Sequence, residues 1–288
     1  MQNSLVSITG KIGVGKDEVS NIFNFLSIRP EGTFLEFSLR RRVEKVIKGA
    51  FDIEKFAGPL KDCVCILLGC TREKLEDRKF KNTPLPKEWD VYEHDSGMLY
   101  SIKDKASFLR HLNKEAAMSG EPPFDEKDLF FFRRIMTPRK LLQILGTEAG
   151  RNIIHPDIWI NALFSKFNPD TKDFNHSRWI ITDTRFPNEL SRVIEEGGLA
   201  IKVDRPLKLR ISESIGKYGL QNEPSEKEIL RVLEEKDEEL YFSLTHESET
   251  ALDSVKSWRV VINNDSTLEN LFEESKKVYK AYINIYMN

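Results

Sequence analysis

No stretch of this sequence approaches the run of roughly 20 apolar residues that a helix needs to cross a bilayer. The opening MQNSLVSITG also lacks the basic start and long apolar stretch of a secretory leader, so a cytoplasmic location is expected. Net charge is nearly absent, with 44 Lys and Arg against 46 Asp and Glu. That balance excludes a generic nucleic-acid coat but leaves room for a local anion pocket. Cysteine is scarce: Cys63, Cys65 and Cys70 lie together in DCVCILLGC, an odd number that falls short of a four-ligand zinc set, and the nearest histidine, His94, is in a different segment. Buried, reduced thiols in a reducing compartment are expected. Internal repeats, low-complexity tracts and any Ser-His-Asp or Cys-His constellation are missing as well. What remains is 288 residues, 40% hydrophobic and 31% charged, which is the profile of a folded globular chain of one large or two small domains.

Periodicity and punctuation give an alternating α/β order. Leu5, Val6 and Ile8 form a short apolar strand, GKIGVG breaks it, and Val19, Ile22, Phe23 and Leu26 recur at helical spacing. A strand is predicted at Thr33–Phe37, a basic amphipathic helix at Arg40–Lys48, and a short strand ending near Phe56 before the helix that carries the cysteines. From about Thr71 to Pro138 the chain is charged, proline-bearing and poor in strand signals, and reads as an insertion of loops and helices. A helix then carries Leu141, Leu142 and Leu145, and Trp179–Thr182 is a strand. The segment Glu189–Glu195 is a helix closed by Gly197 and Gly198, and Leu199–Val203 is a strand. Glu226–Leu240 reads as an exposed, mobile charged helix, Arg259–Ile262 as a strand, and Thr267–Tyr282 as a closing helix capped by Thr267 or Ser266. Strands alternating with helices imply a parallel sheet whose ligands bind at the carboxyl ends of the strands.

Chemistry concentrates at four places. Gly10, Lys11, Ile12, Gly13, Val14, Gly15 and Lys16 have the G-x-x-x-x-G-K spacing of a phosphate-binding loop, set between a strand and a helix. There the glycines let N–H groups curl around a phosphate and Lys16 can reach its outer oxygens. Asp17 and Glu18 stand where a Mg²⁺-binding hydroxyl usually follows, so Asp17 could cap the helix or hold the metal through water. The apolar strand WIIT ends in Asp183, with Arg185 two residues on, a pair suited to a metal-bound phosphate. Arg139, Gln143, Thr147 and Arg151 recur every four residues and share a helix face, beside Gly146 and Gly150, which suggest close approach by a ligand or backbone. Arg205, Lys208 and Arg210 follow a strand end, as a cationic flap over transferring phosphates would. For all four, a surface turn or a solvated face is the alternative reading.

Taken in order, GKIGVGKD, FAGPLKD, LLQILGTEAGRNIIHPDIWINAL, WIITDTRFPNE, GGLAIKVDRP, THESETALD and VINNDSTLENL resemble the deoxynucleoside monophosphate kinases of bacteriophages. The resemblance runs from near residue 5 to near residue 272, with a gap over roughly 75–135. It implies an α/β, P-loop NTPase-type three-layer fold with a parallel sheet, a helical NMP-binding insertion and a mobile lid. The expected division is a core at about 1–60 and 175–288, an insertion at about 58–165 and a lid at about 205–250. The implied activity is transfer of the γ-phosphate of ATP-Mg to a dNMP, in the host cytoplasm if the chain is phage-encoded.

By the same resemblance Gly10, Lys11, Gly13, Val14, Gly15, Lys16, Asp17, Asn264 and Thr267 would bind ATP, and Lys61, Arg139, Gln143, Thr147, Arg151 and Trp159 the dNMP. Lys16, Asp183, Arg185, Arg205 and Arg210 would act on the transferring group, with Asp17 and Asp183 holding Mg²⁺. The expected partners are nucleotides, without nucleic acid or membrane, and a homodimer is the one macromolecular option. Two rivals stand beside this reading: a P-loop kinase of another small acceptor such as dephospho-coenzyme A, and a nucleotide-sensing protein without catalysis.

Overall fold

The computed structural model describes residues 4–89, 91–93, 99–125, 132–134, 136–168, 178–212, 216–218 and 224–283. In chain order the elements begin with β1 (Ser4–Thr9), α1 (Lys16–Ile28), α2 (Phe34–Val43), β2 (Asp52–Glu54), α3 (Ala57–Leu68), α4 (Arg72–Glu76) and α5 (Arg78–Asn82). There follow β3 (Val91–Glu93), β4 (Leu99–Ser101), α6 (Ile102–Ser119), β5 (Phe132–Arg134) and α7 (Pro138–Gln143), which runs on as a π-helix over Ile144–Ile154. The rest comprises α8 (Ile158–Phe164), β6 (Arg178–Thr184), α9 (Pro187–Glu195), β7 (Leu199–Asp204), α10 (Leu207–Arg210), α11 (Glu226–Lys236), α12 (Glu238–Thr245), α13 (Glu247–Thr250), β8 (Val260–Asn263) and α14 (Leu268–Val278). The chain divides into two compact units, Met1–Gly58 with Trp159–Asn288, and Pro59–Ile158.

The first unit is built on a five-stranded sheet in the order β2-β6-β1-β7-β8, and every pairing is parallel. Alternation along the strands sends successive side chains to opposite faces. On one face Val6, Ile8, Ile180, Ile201, Val203, Val260 and Ile262 pack with Val19, Ile22, Phe23 and Leu26 of α1, Phe37 of α2, and Leu271 and Phe272 of α14. On the other, Leu5, Trp179 and Ile181 pack with Phe56, with Ile160, Leu163 and Phe164 of α8 and with Val193 of α9. Each fully buried large side chain contributes roughly 1.5–3 kcal/mol, so these two layers hold the sheet and fix its strand ends. The α/β reading holds, as a helix–sheet–helix sandwich.

Several local expectations are corrected. Thr33–Phe37 is not a strand: Thr33 caps α2, its hydroxyl accepting from the Glu36 N–H while the Glu36 carboxylate accepts from the Thr33 N–H. That reciprocal box outweighs the apolar run. The basic helix ends at Val43 instead of Lys48, because polar residues of α1 bind the backbone beyond it. Asn21 accepts from the Ile47 N–H, Ser27 from the Ala50 N–H, and Asn24 bonds both the N–H and the C=O of Phe51. Gly49 is required there, since a Cβ would lie 2.3 Å from the Asn24 carbonyl oxygen.

The segment Glu226–Leu240 is two helices broken at Asp237, which caps α12. It is not a fully exposed surface, because Ile229 and Leu233 form a buried cluster with Leu207, Ile211 and Leu244. Two charged residues of every three concealed this narrow apolar stripe from a composition-based reading.

The second unit contains α4, α5, α6 and α7 and a three-stranded antiparallel sheet in the order β4-β3-β5. That sheet corrects the expectation of loops and helices alone; strands of three residues leave no readable period. The cysteines are free, but Cys63 is exposed and Cys65 and Cys70 are half-buried, so burial was the wrong expectation. Only Val64 is buried on α3, and the neighbouring positions turn outward. His94 lies outside the described residues.

Candidate active site

The central strand β1 has β6 on one side and β7 on the other, so the crevice at its carboxyl end is the switch point at which open parallel sheets bind ligands. Three hydroxyls lock β1 to β6 there. Ser7 Oγ lies 2.7 Å from Thr184 Oγ1, and Thr9 Oγ1 donates to the Thr184 carbonyl at 2.8 Å. This sets the phosphate-type loop beside the end of β6.

The loop closes from Gly10 to Lys16. Gly10 adopts φ 143°, and a Cβ on it would sit 2.3 Å from the Val203 carbonyl oxygen of β7. Gly15, at φ 97°, is the residue before α1, and a Cβ there would lie 2.8 Å from Asn264 Nδ2. That amide is in use: Asn264, 5% exposed, donates from Nδ2 to the Val14 carbonyl at 2.8 Å, pinning the loop from the end of β8. Among the described residues no partner is found for the N–H groups of Gly13, Gly15 and Lys16, which leaves an anion cradle at a helix start.

Lys16 Nζ donates to the carbonyls of Gly10 at 2.6 Å and Lys11 at 3.0 Å. Burial, and then the guanidinium of Arg185, lower its pKa to about 8, against the opposing pull of Glu249, Asp17 and Asp183. An ammonium so poorly compensated is favourably placed for a phosphate.

Asp183, at the end of β6, accepts from the N–H groups of Phe56 at 2.7 Å and Ala57 at 3.0 Å. Burial pushes its carboxyl above the usual carboxylate range despite those bonds and the nearby Lys55 and Arg185. Arg185 follows it, its backbone N–H bound to the Glu189 carboxylate at 2.8 Å. Its Nη1 donates to Glu249 Oε1 at 2.6 Å and to Ser248 Oγ at 3.0 Å. Glu249 Oε2 in turn accepts from the Ile12 N–H of the loop at 2.5 Å. Glu189, Ser248 and Glu249 were passed over in the sequence; a dense polar run, THESETALD, was the only signal for the latter two.

After β7 come Arg205 and Arg210, whose Nε atoms are buried and without a partner among the described residues. Orphaned donors of this kind cost free energy and mark a place for an anionic or polar ligand. Arg205 lines a cavity of about 650 Å³ together with Gly15, Glu18, Arg41, Arg42 and Asn264. Thr267 is engaged elsewhere: its hydroxyl caps α14 by accepting from the Asn270 N–H, and the cavity wall is formed by Ser266 and Leu268. Of the two acids after Lys16, Glu18 is committed to Arg41 through bonds of 2.9 and 2.8 Å. The Asp17 side chain is 78% exposed with one loose contact, 3.6 Å from Lys55. Among the described residues no group of three or more metal-ligating side chains comes together.

In the second unit Arg139, Gln143 and Thr147 are exposed and Arg151 is half-buried, on a helix that changes from α to π between Gln143 and Ile144. Arg139 Nε donates to Asn82 at 2.7 Å. Lys61 and Lys81 both donate to Glu76, at 2.6 and 2.9 Å. Burial alone would raise the Glu76 pKa, but those hydrogen bonds hold it at about 2. The close approach predicted at Gly146 is a side chain and not a ligand: a Cβ there would meet Leu60 Cδ2 at 2.8 Å. Trp159, on α8 in the first unit, is buried.

A family model described as deoxynucleotide monophosphate kinase matches residues 129–244, the span that carries this helix, the Asp183–Arg185 strand end and the arginines after β7. The deoxynucleoside-5'-monophosphate kinase of Escherichia phage T5 is 28% identical over 202 residues, covering 64% of this chain and 69% of the phage protein. Over these spans the chain is similar to deoxynucleotide monophosphate kinases. A protein of Acanthamoeba polyphaga mimivirus that provisionally carries the deoxynucleotide monophosphate kinase name is also 28% identical, over 152 residues covering 48% of this chain and 58% of the viral one. These similarities indicate an enzyme acting on small nucleotides, and no helix among the described residues is long and apolar enough to cross a membrane.

Proposed function

We propose that this chain phosphorylates deoxynucleoside monophosphates to diphosphates with the γ-phosphoryl group of ATP-Mg. The observation that carries the reading is the arrangement at the end of β1: an open N–H cradle with the under-compensated Lys16, flanked by Asp183 and Arg185 on one side and by the orphaned Nε donors of Arg205 and Arg210 on the other. The family-model match and the similarity to the phage T5 kinase support it.

In this reading the cradle holds the β-phosphate and Lys16 bridges to the γ-phosphate. Arg185, Arg205 and Arg210 spread positive charge over the equatorial oxygens as the phosphoryl group moves. The cavity beside Gly15, Asn264 and Arg205 suits the donor's base and ribose by position and size. Asp17, exposed and lightly held, and Asp183, buried among cations, fit a Mg²⁺ held through water, which supplies charge neutralisation between the phosphates; Glu18, tied to Arg41, does not. On the acceptor side, Lys61, Arg139, Gln143, Thr147 and Arg151 of the second unit bind the dNMP. The acceptor is a phosphate oxygen, largely ionised at neutral pH because its second pKa is about 6. No general base is needed, which accounts for the missing catalytic dyads.

The deciding experiment is ADP release with each dNMP, each NMP and dephospho-coenzyme A, with and without Mg²⁺. Mg²⁺-dependent release with dNMPs is the expected result. Release with dephospho-coenzyme A alone, or tight ATP binding without turnover on any acceptor, would overturn it.

A further inference from the structure

We propose that Glu249 is a positioning residue that sets Arg185 and the first turn of the phosphate loop in register for phosphoryl transfer. The inference rests on the kinase reading above, and it concerns a residue outside the span that the family model matches. One carboxylate joins two parts of the site that belong to different strands. Its Oε1 holds Arg185 Nη1, beyond the end of β6, and its Oε2 holds the Ile12 N–H, beyond the end of β1. Ser248, the preceding residue, takes a second bond from the same Nη1. Four residues on, Asp253 takes Lys11 Nζ at 3.0 Å, so one short segment grips two consecutive residues of the loop as well as the arginine.

Burial decides between two roles for this carboxylate. The Glu249 side chain is 4% exposed, whereas Arg185 is 37% exposed, so the acid lies on the protein side of the guanidinium and not on its open side. Only Nη1 of Arg185 is engaged among the described residues. A guanidinium carries five N–H donors, so Nε and Nη2 remain for an incoming phosphate. A carboxylate standing in for a phosphate would occupy those free donors; this one anchors the far end of the fork. Pairing with Glu249 also lets Arg185 sit close to Lys16 without expelling its charge, since Glu249 opposes the effect of Arg185 on that ammonium. Misplacing a catalytic group by about 1 Å costs on the order of a hundredfold in rate, and that is the scale expected for losing both anchors.

The test is a double-mutant cycle of Glu249→Ala and Arg185→Ala in the full chain, read as kcat and KM for ATP in the dNMP assay, with thermal unfolding by circular dichroism as the control. Glu249→Ala should lower kcat about a hundredfold and change KM less than about threefold. In the Arg185→Ala background, where only the Ile12 anchor is left to lose, the same substitution should change kcat by about tenfold or less. Glu249→Gln, which keeps one acceptor and presents an amide to the other donor, should fall between, and it carries the cycle if the alanine variant unfolds. Equal losses in both backgrounds would overturn the proposal. So would tighter ATP binding by either Glu249 variant, which would make the carboxylate a competitor of phosphate. An inactive wild type overturns the kinase reading together with this one; an active wild type with additive losses overturns this one alone.

Discussion

Nucleotide binding should draw a proton onto Lys16. Burial and Arg185 hold its pKa at about 8 in the free protein, and a polyphosphate in the cradle would return it to the ordinary lysine range of about 10.4 or above. The neutral fraction before binding is then about 0.1 at pH 7, about 0.5 at pH 8 and about 0.9 at pH 9, and the uptake per ADP or ATP bound should equal it. Affinity should be flat below pH 8 and weaken about tenfold per unit above it.

The same shift bears on stability. Because the folded pKa lies below the unfolded one, the unfolded chain binds more protons between pH 8 and 10.5, and native stability rises across that window. Below pH 8 the buried charge costs roughly 3 kcal/mol, an upper bound that Lys16→Met should recover in the free protein. Calorimetric titration in buffers of matched pH and different ionisation enthalpy counts the protons, since nucleotide phosphates with a second pKa of about 6 contribute little at pH 8. Zero uptake at pH 8, or the same uptake by Lys16→Met, would refute the reasoning.

Three other substitutions test neighbouring parts of the argument. Lys16→Ala should fold, by circular dichroism, yet lose phosphoryl transfer by about a thousandfold or more, as expected for the cation at the transferring group. Gly15→Ala forces a Cβ into a left-handed conformation and against Asn264 Nδ2 at 2.8 Å. A cost of about 2–3 kcal/mol, for the backbone and the lost bond to Val14 together, should appear in urea unfolding along with weakened ATP binding. Glu76 has its pKa held at about 2, below its unfolded value, so its contribution is present above about pH 5 and disappears as the pH falls toward 2. Acid unfolding monitored from pH 6 to 2 should be less pH-dependent in Glu76→Gln, and an unchanged profile would mean that the bonds from Lys61 and Lys81 contribute nothing to stability.

The most legible parts of the sequence were those whose structure is set by neighbours in the chain. The turn from Gly10 to Lys16 needs positive φ at fixed positions and a strand and helix on its flanks, and all of that is written in consecutive residues. The strand that ends in Asp183 was equally plain, because three large apolar residues in a row, with Thr182 after them, have few places to go except the middle of a parallel sheet. The errors fell where a distant residue overrules the local pattern. Segment 44–48 looked helical until Asn21, Asn24 and Ser27 captured the backbone at Ile47, Phe51 and Ala50, and Gly146 looked like a place for a ligand or another backbone until Leu60 filled the space.

The sequence by itself therefore determined the glycine loop, the five strands of the parallel sheet and the acid–arginine pair, because these depend on φ preferences and on hydrophobic period over a few residues. Only the tertiary structure decided what those groups face. Asn264 pins the loop across 250 residues of chain. Glu249 joins Ile12 to Arg185 across more than 60 residues on one side and more than 230 on the other. Hydrogen bonds of this reach have no period and no spacing, so they exist only once the sheet has brought its strand ends together.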